Sequence, residues 1–437
     1  MNTLKSICLS SLVVVGALAG ASGQSSPTNI NPASLYYQAF LVAPDLSPAD
    51  SDYLWTNEWQ GRELPERFGK IMASYDNEFR LVREAARATA PCDWGIDMSA
   101  GSASLLPHLA RTKAVAQTTR FRVYWALQHG RQAEAREEII AAFKLARNAS
   151  RDGMLISTLV QQASEVLNCC TVAGAFGQFS NDDLQQLLEG IDAPPARRTV
   201  AECVPAERAL CLEWVLHRIQ LLQQANPGDE AKVMAGIREL FAGMLDPQQE
   251  RGNTSVAQGG NASGDDAQPG GVWDRVSRAA GGTSEGVVRL IREMEDFGQR
   301  LAPVLALPLG EYEARIAPLK AEVQASANPL LALSFPAWER VRPRELRTEM
   351  TLAMVRAAIG YKLHGLPGLQ AVTDPWGQGP FEFRRFVFQG VDRGFELKSA
   401  CRANGWPEVL IFVEKDGPPF YLNGKLAGQA RPATYPK

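Results

Sequence analysis

Cysteine, carboxylate, indole and imidazole crowd into one short stretch of this 437-residue chain. Residues 90–101 read APCDWGIDMSAG, and LLPHL follows at 105–109. Cys92, Asp93, Trp94, Asp97 and His108 are the densest set of chemically capable side chains in the sequence. Two carboxylates and an imidazole are the oxygen and nitrogen ligands of a metal pocket, and a thiol with a histidine is the raw material of a nucleophile. The same residue types also build structure. An Asp caps a helix, Trp94 plugs a helical hairpin, and Pro107 starts a helix. The structural reading is the expectation, so no catalytic residue, metal or cofactor is assigned. The five residues stand as a candidate ligand-binding set.

Other catalytic patterns are missing. With only His108, His129, His217 and His364, HExxH spacing is absent. Gly101-Ser102-Ala103-Ser104 precedes a helix without following a strand, so it is no nucleophile elbow. The pairs Glu137-Glu138 and Asp182-Asp183 sit on polar helix faces, where solvated surface is expected. His217, close to Trp214, reads as a packed residue rather than a ligand.

Three consecutive helices must position the candidate set, over about 105–128, 132–148 and 155–176. In the second, Ala135, Ile139, Ala142, Phe143 and Ala146 recur at spacings of three and four, opposite a wet side with Arg131, Glu134, Glu137, Glu138 and Lys144. The third places Leu155, Leu159, Ala163, Val166, Leu167 and Cys170 on its buried stripe. The hairpin around Gly130, with Ala135, Ile139 and Ala142 at small or apolar positions, resembles a tetratricopeptide repeat. It departs from it at Arg122, and no second copy at a period near 34 accompanies it.

Upstream, helices are expected over 31–43 and 64–88, with Tyr53, Trp55 and Trp59 packing onto the helical body. Downstream, Asn181 to Asp183 caps a short helix, and further helices cover 199–225, 229–245, 285–301, 311–325 and 344–363. Pro329, Pro336 and Pro343 punctuate the approach to the last one. After it the period falls to two, and 381–388, 394–399, 409–413 and 419–422 read as short strands.

Lys5, the apolar run from Ile7 to Ala19 and the small residues up to Gly23 read as a secretory signal peptide. Export leaves Cys92, Cys169, Cys170, Cys203, Cys211 and Cys401, an even set for which one or two bridges between helices are expected. The net charge of −3 and pI of about 6.0 give no basic field for nucleic acid.

Cys92-Asp93-Trp94-Gly95, Asp97, Gly101 and Leu106-Pro107-His108-Leu109, running into the Gly130 hairpin, resemble a group of exported bacterial proteins of unknown function. The resemblance implies a helical first half and no activity. Gly365-Leu366-Pro367, Asp374-Pro375-Trp376-Gly377, Phe381 to Phe383 and Gly394 to Ser399 resemble the soluble part of type II secretion pseudopilins. That resemblance implies a long helix followed by a small antiparallel sheet. The family's calcium loop has Asp residues after the final Ser, where this chain reads Ala400-Cys401-Arg402-Ala403-Asn404-Gly405.

The expected fold is mainly α, with antiparallel, tetratricopeptide-like helical hairpins and a small C-terminal α+β module. The expected divisions are a signal peptide (1–23), a helical domain (24–246), a flexible linker or loop (247–271), additional helices (272–342) and a helix plus small antiparallel sheet (343–437). The expected function is an exported scaffold or interaction protein of the cell envelope. Its partner would be an envelope protein, a peptide or a polymer, with no nucleic acid and no transmembrane segment in the mature chain. The competing expectation is a secreted hydrolase or metal-dependent enzyme. Convergence of Asp93, Asp97 and His108 in one concave pocket would favour the enzyme, and capping roles the scaffold.

Overall fold

Asn31 accepts a hydrogen bond from Ala33 N, and Pro32 fills the first helical position, where no N–H is needed, so α1 (Pro32–Val42) begins capped. The computed structural model describes residues 29–55, 63–101, 104–244, 269–388, 390–403 and 406–415. The signal peptide expected over 1–23, Trp59, the side chain of Trp55 and the strand expected at 419–422 lie outside what is described, as does the linker expected over 247–271 except for its last three residues.

After α2 (Pro48–Trp55), the single helix expected over 64–88 is two, α3 (Glu66–Ser74) and α4 (Asp76–Arg87). Tyr75 departs from regular helical geometry at ψ −1°, and Asp76 and Glu78 put negative charge in the first turn of the new helix, where its dipole favours it.

The hairpin forms as α5 (Pro107–Gln128) and α6 (Gln132–Ala149), with Gly130 at φ +69° in the turn, a conformation only glycine adopts without strain. Ala135, Ile139, Ala142, Phe143 and Ala146 are all buried. Glu138 is not on the wet side but fully buried, because Arg83 and Arg122 reach it from α4 and α5. Arg122, where a repeat has a small residue, also bonds Asp76 and the Met72 carbonyl.

In α7 (Leu155–Gly174) the expectation inverts. The deeply buried face carries Ser157, Thr158, Gln161, Gln162, Ser164, Glu165 and Asn168, while of the expected stripe Cys170 is buried and Leu155, Leu159, Ala163, Val166 and Leu167 are only half-buried. The polar face turns inward because arginines of neighbouring segments meet it there.

The cap of α8 (Asn181–Asp192) is Ser180, in a reciprocal capping box with Asp183. Asp183 is buried rather than solvated, paired with Arg136 of α6. The helix expected over 199–225 runs as α9 (Val204–Glu207), a wide π-helical turn over Arg208–Glu213, and α10 (Trp214–Ala225). Then come α11 (Glu230–Met244), α12 (Pro269–Ala279), α13 (Ser284–Leu305) and α14 (Leu309–Ala325).

The last long helix, α15 (Pro329–His364), is 36 residues, not the 20 expected, and continues through Pro336 and Pro343. A proline leaves the carbonyl four residues earlier without its helical donor. For Pro343 that carbonyl belongs to Glu339, and the Tyr312 hydroxyl of α14 donates to it at 3.0 Å. At about 54 Å, α15 links three hydrophobic clusters, through Leu330, through Leu331 and Phe335, and through Met350 to Ile359.

A short α16 (Leu366–Gln370) turns the chain into an antiparallel sheet of order β1 (Glu382–Phe388), β2 (Val391–Ala403), β3 (Trp406–Val413). The sheet shares its core with the helices. Phe176 meets Phe395 and Phe412 edge-on at 5.6 and 5.2 Å, and Tyr361 meets Phe395 at 5.1 Å. Asp374 joins turn to sheet by accepting bonds from Ser399 Oγ and Ala400 N. The fold is thus mainly α with a small C-terminal α+β module.

Removing the hydroxyl that serves Glu339 leaves its carbonyl unpaired beside Pro343. Tyr312→Phe is expected to lower unfolding free energy by about 1–2 kcal/mol in urea titrations, and an unchanged midpoint would refute the role given to Tyr312.

Candidate functional site

The loop before α5 is fixed at both ends of its Cys92–Gly95 core. Asn31 clamps Asp93, its Oδ1 accepting from Asp93 N at 3.0 Å and its Nδ2 donating to Asp93 O at 2.6 Å. Trp94 enters the interior, where its indole N–H donates to the Asn148 carbonyl at 2.8 Å. Its ring stacks on His108 at 4.4 Å and on Tyr36 and Phe40 at 5.7 and 6.3 Å, with Tyr37 edge-on at 5.3 Å. Trp94 is therefore the plug of the helix ends it touches.

His108 lies sealed beneath that indole with no exposed surface. Its Nε2 sits 3.1 Å from the Ala149 carbonyl, which only accepts, so Nε2 carries the proton. Asp152 Oδ2 lies 3.5 Å away and accepts from Ser157 Oγ at 2.6 Å. Asp93 and Asp97 face water instead. Asp93 Oδ1 accepts from Gly95 N at 2.9 Å, and Asp97 takes the Ser99 amide and hydroxyl at 2.8 and 2.9 Å. Those two bonds hold the Asp97 carboxyl below its ordinary range. Each aspartate caps a turn, not a helix. Cys92 is buried, and burial pushes its thiol up to about 12, which disfavours the thiolate a nucleophile needs. Trp94, His108 and Cys92 share the interior, and the two carboxylates do not join them.

Beyond this loop, Gly101 takes φ +61°, and a Cβ there would come within 2.4 Å of the Trp214 ring, whose N–H donates to the Ser99 carbonyl at 2.8 Å. His217, one turn along α10, is exposed rather than packed. The one or two disulfides expected are not formed: no bridge joins the six cysteines. They are distributed among different neighbours, Cys203 bonding Thr158 and Cys211 bonding Glu207, so an even count did not translate into proximity.

Sequence reasoning missed two buried ionic clusters. One joins Glu138 to Arg83 and Arg122, with Glu78 beside it. The other centres on Glu165 of α7, fully buried between Arg147 at 3.1 Å and Arg197 at 2.7 Å. It continues through Arg342, which pairs with Glu345 at 2.5 Å and Glu349 at 3.1 Å, while Glu345 also accepts from Val200 N at 2.8 Å. The signal was present as the second stripe of α7, Ser157, Gln161, Ser164, Glu165 and Asn168, at the same helical spacing as its apolar one.

What this defines is a mainly helical protein whose interior is laced with ion pairs and whose reactive-looking loop is a structural joint. Among the described residues no group of three or more His, Cys, Asp or Glu is placed to hold a metal ion, and no helix is long and apolar enough to cross a membrane. No family model, no characterised protein and no solved structure matches the chain.

Two outcomes follow. Trp94→Ala should cost about 3–5 kcal/mol of stability, whereas Asp97→Asn should cost under about 1 kcal/mol; equal losses in chemical denaturation would contradict the assignment of plug and turn cap. Burial lifts the Glu78 carboxyl from 4.5 to about 7, with Arg111 and Arg122 opposing and Glu138 adding to the lift. Between those values the folded state binds more protons than the unfolded one, so this share of stability is full below pH 4.5 and is lost as pH rises through 7. Glu78→Gln should flatten the melting temperature against pH in that window, removing a slope worth on the order of 2–3 kcal/mol.

Proposed function

We propose that the chain is an exported helical scaffold of the cell envelope that binds a protein, peptide or polymer through the faces of its helices. One observation carries this reading: Asp93 and Asp97 cap surface turns while His108 lies sealed under Trp94, so the residues best suited to chemistry serve structure. The sequence of residues 1–23 supports export. The outward side of α7 supports binding, because Ile156, Val160, Ala163 and Leu167 leave a partly exposed apolar line along it.

A photoreactive residue placed at Ile156 in exporting cells tests this directly. It should cross-link to a discrete envelope component, and a control at exposed Lys70, on α3, should not. The purified chain should hydrolyse none of a panel of ester, peptide, glycoside and phosphate substrates. Turnover that disappears in Asp97→Asn would instead establish the hydrolase or metal-dependent enzyme.

A further inference from the structure

Buried Arg122, Arg147 and Arg342 each meet carboxylates, whereas one stretch of α15 carries three exposed arginines side by side. Arg340, Arg344 and Arg347 are spaced by four and three residues, so they share one helix face over about 10 Å. They line a cleft of about 790 Å³ between α14 and α15, with Tyr312, Glu313 and Ile316 on one wall and Glu339 and Pro343 on the other. Tyr312 and Pro343 hold the walls in register through the bond to the Glu339 carbonyl.

The charges in the cleft do not cancel. Glu339 is held by Lys320 at 2.6 Å. Among the described residues neither Arg340, Arg344 nor Glu313 forms an ion pair, and Arg347 lies beside the Cys401 thiol rather than a carboxylate. Arg344 is exposed, and partial burial of its guanidinium pulls it below the ordinary arginine range. Three guanidiniums thus face a single unpaired carboxylate. A desolvated guanidinium without a counter-ion is unfavourable, and an oxyanion that accepts its paired N–H donors relieves it.

We propose that the α14–α15 cleft is a binding site for a small ligand carrying at least two oxyanion groups, phosphate or carboxylate. The volume suits a small molecule, the guanidinium row gives two neighbouring anion positions about one helical turn apart, and Ile316 and Pro343 add apolar lining. The inference rests on reading the chain as a binding protein and names the ligand chemistry of one of its faces.

Calorimetric titration of the full-length exported chain with inorganic pyrophosphate, and separately with glutarate, tests it. Saturable one-site binding of at least one probe is expected, weakened about tenfold or more by Arg344→Ala and further by Arg340→Ala with Arg344→Ala. Arg344→Lys should recover part of the loss, since it restores the charge but not the planar fork. Raising salt from about 20 to 300 mM should weaken binding in the same direction. Pyrophosphate alone binding identifies phosphate as the source, and glutarate alone identifies carboxylate. The variants should melt at or above the parent temperature, because removing an uncompensated guanidinium leaves no carboxylate orphaned. No binding of either probe, or binding indifferent to Arg344→Ala, overturns the site. Continued cross-linking from Ile156 in that case would leave the scaffold reading standing, so the two failures are separable.

Discussion

A carboxylate with no exposed surface, Glu165, is held between two guanidiniums, and the arrangement of the helical body follows from that contact. Taking an ionised carboxyl out of water is costly unless opposite charge and hydrogen bonds surround it. Arg147 and Arg197 meet that requirement only if α6, α7 and the segment after α8 sit together in one geometry. Arg147 is fixed in turn by the Ala193 and Pro195 carbonyls. The contact therefore ties these three segments together at one point. It makes α7 a helix whose polar side faces inward.

The sheet inherits its position from this orientation. α7 delivers Phe176 to the aromatic cluster of Phe395 and Phe412, and β3 continues into Glu414, whose backbone lies so close to Gly177 that a Cβ there would fall 2.2 Å from its carbonyl oxygen. α15 closes the arrangement from the other side, its Glu345 tied to Val200 and its Tyr361 set against Phe395. The C-terminal strands are thus packed onto α7 and α15 rather than displayed beside them.

Local signals were legible where one residue decides the outcome. Pro107 and Gly130 mark the ends of α5, and the drop in period after His364 marks the sheet. What could not be read depends on partners distant in sequence. Both stripes of α7 have helical spacing, and only arginines 18 residues before Glu165 and 32 after it decide which one turns inward. Glu138 and Asp183 looked solvated because their cations lie on other helices. Pro343 looked like a break because its remedy, Tyr312, comes from a different helix. At the candidate loop, the burial of Trp94 among helix ends was legible. The separation of the loop's carboxylates from His108 was not, since nothing in the spacing says that Trp94 would cover the imidazole.

This division of charge bears on function. The chain is mildly acidic overall, and many of its carboxylates stand against interior or half-buried arginines. The exposed arginine row of α15 forms no ion pair with the acids of its own helix, for Glu345 and Glu349 turn to Arg342 and Arg197 instead. Helical geometry sends those two acids to a different face from the cleft, and the basic face is left to water. On the proposed reading, a row of guanidiniums on one helix face, outnumbering the carboxylates of its cleft, would favour ligands by their charge and spacing rather than by their shape.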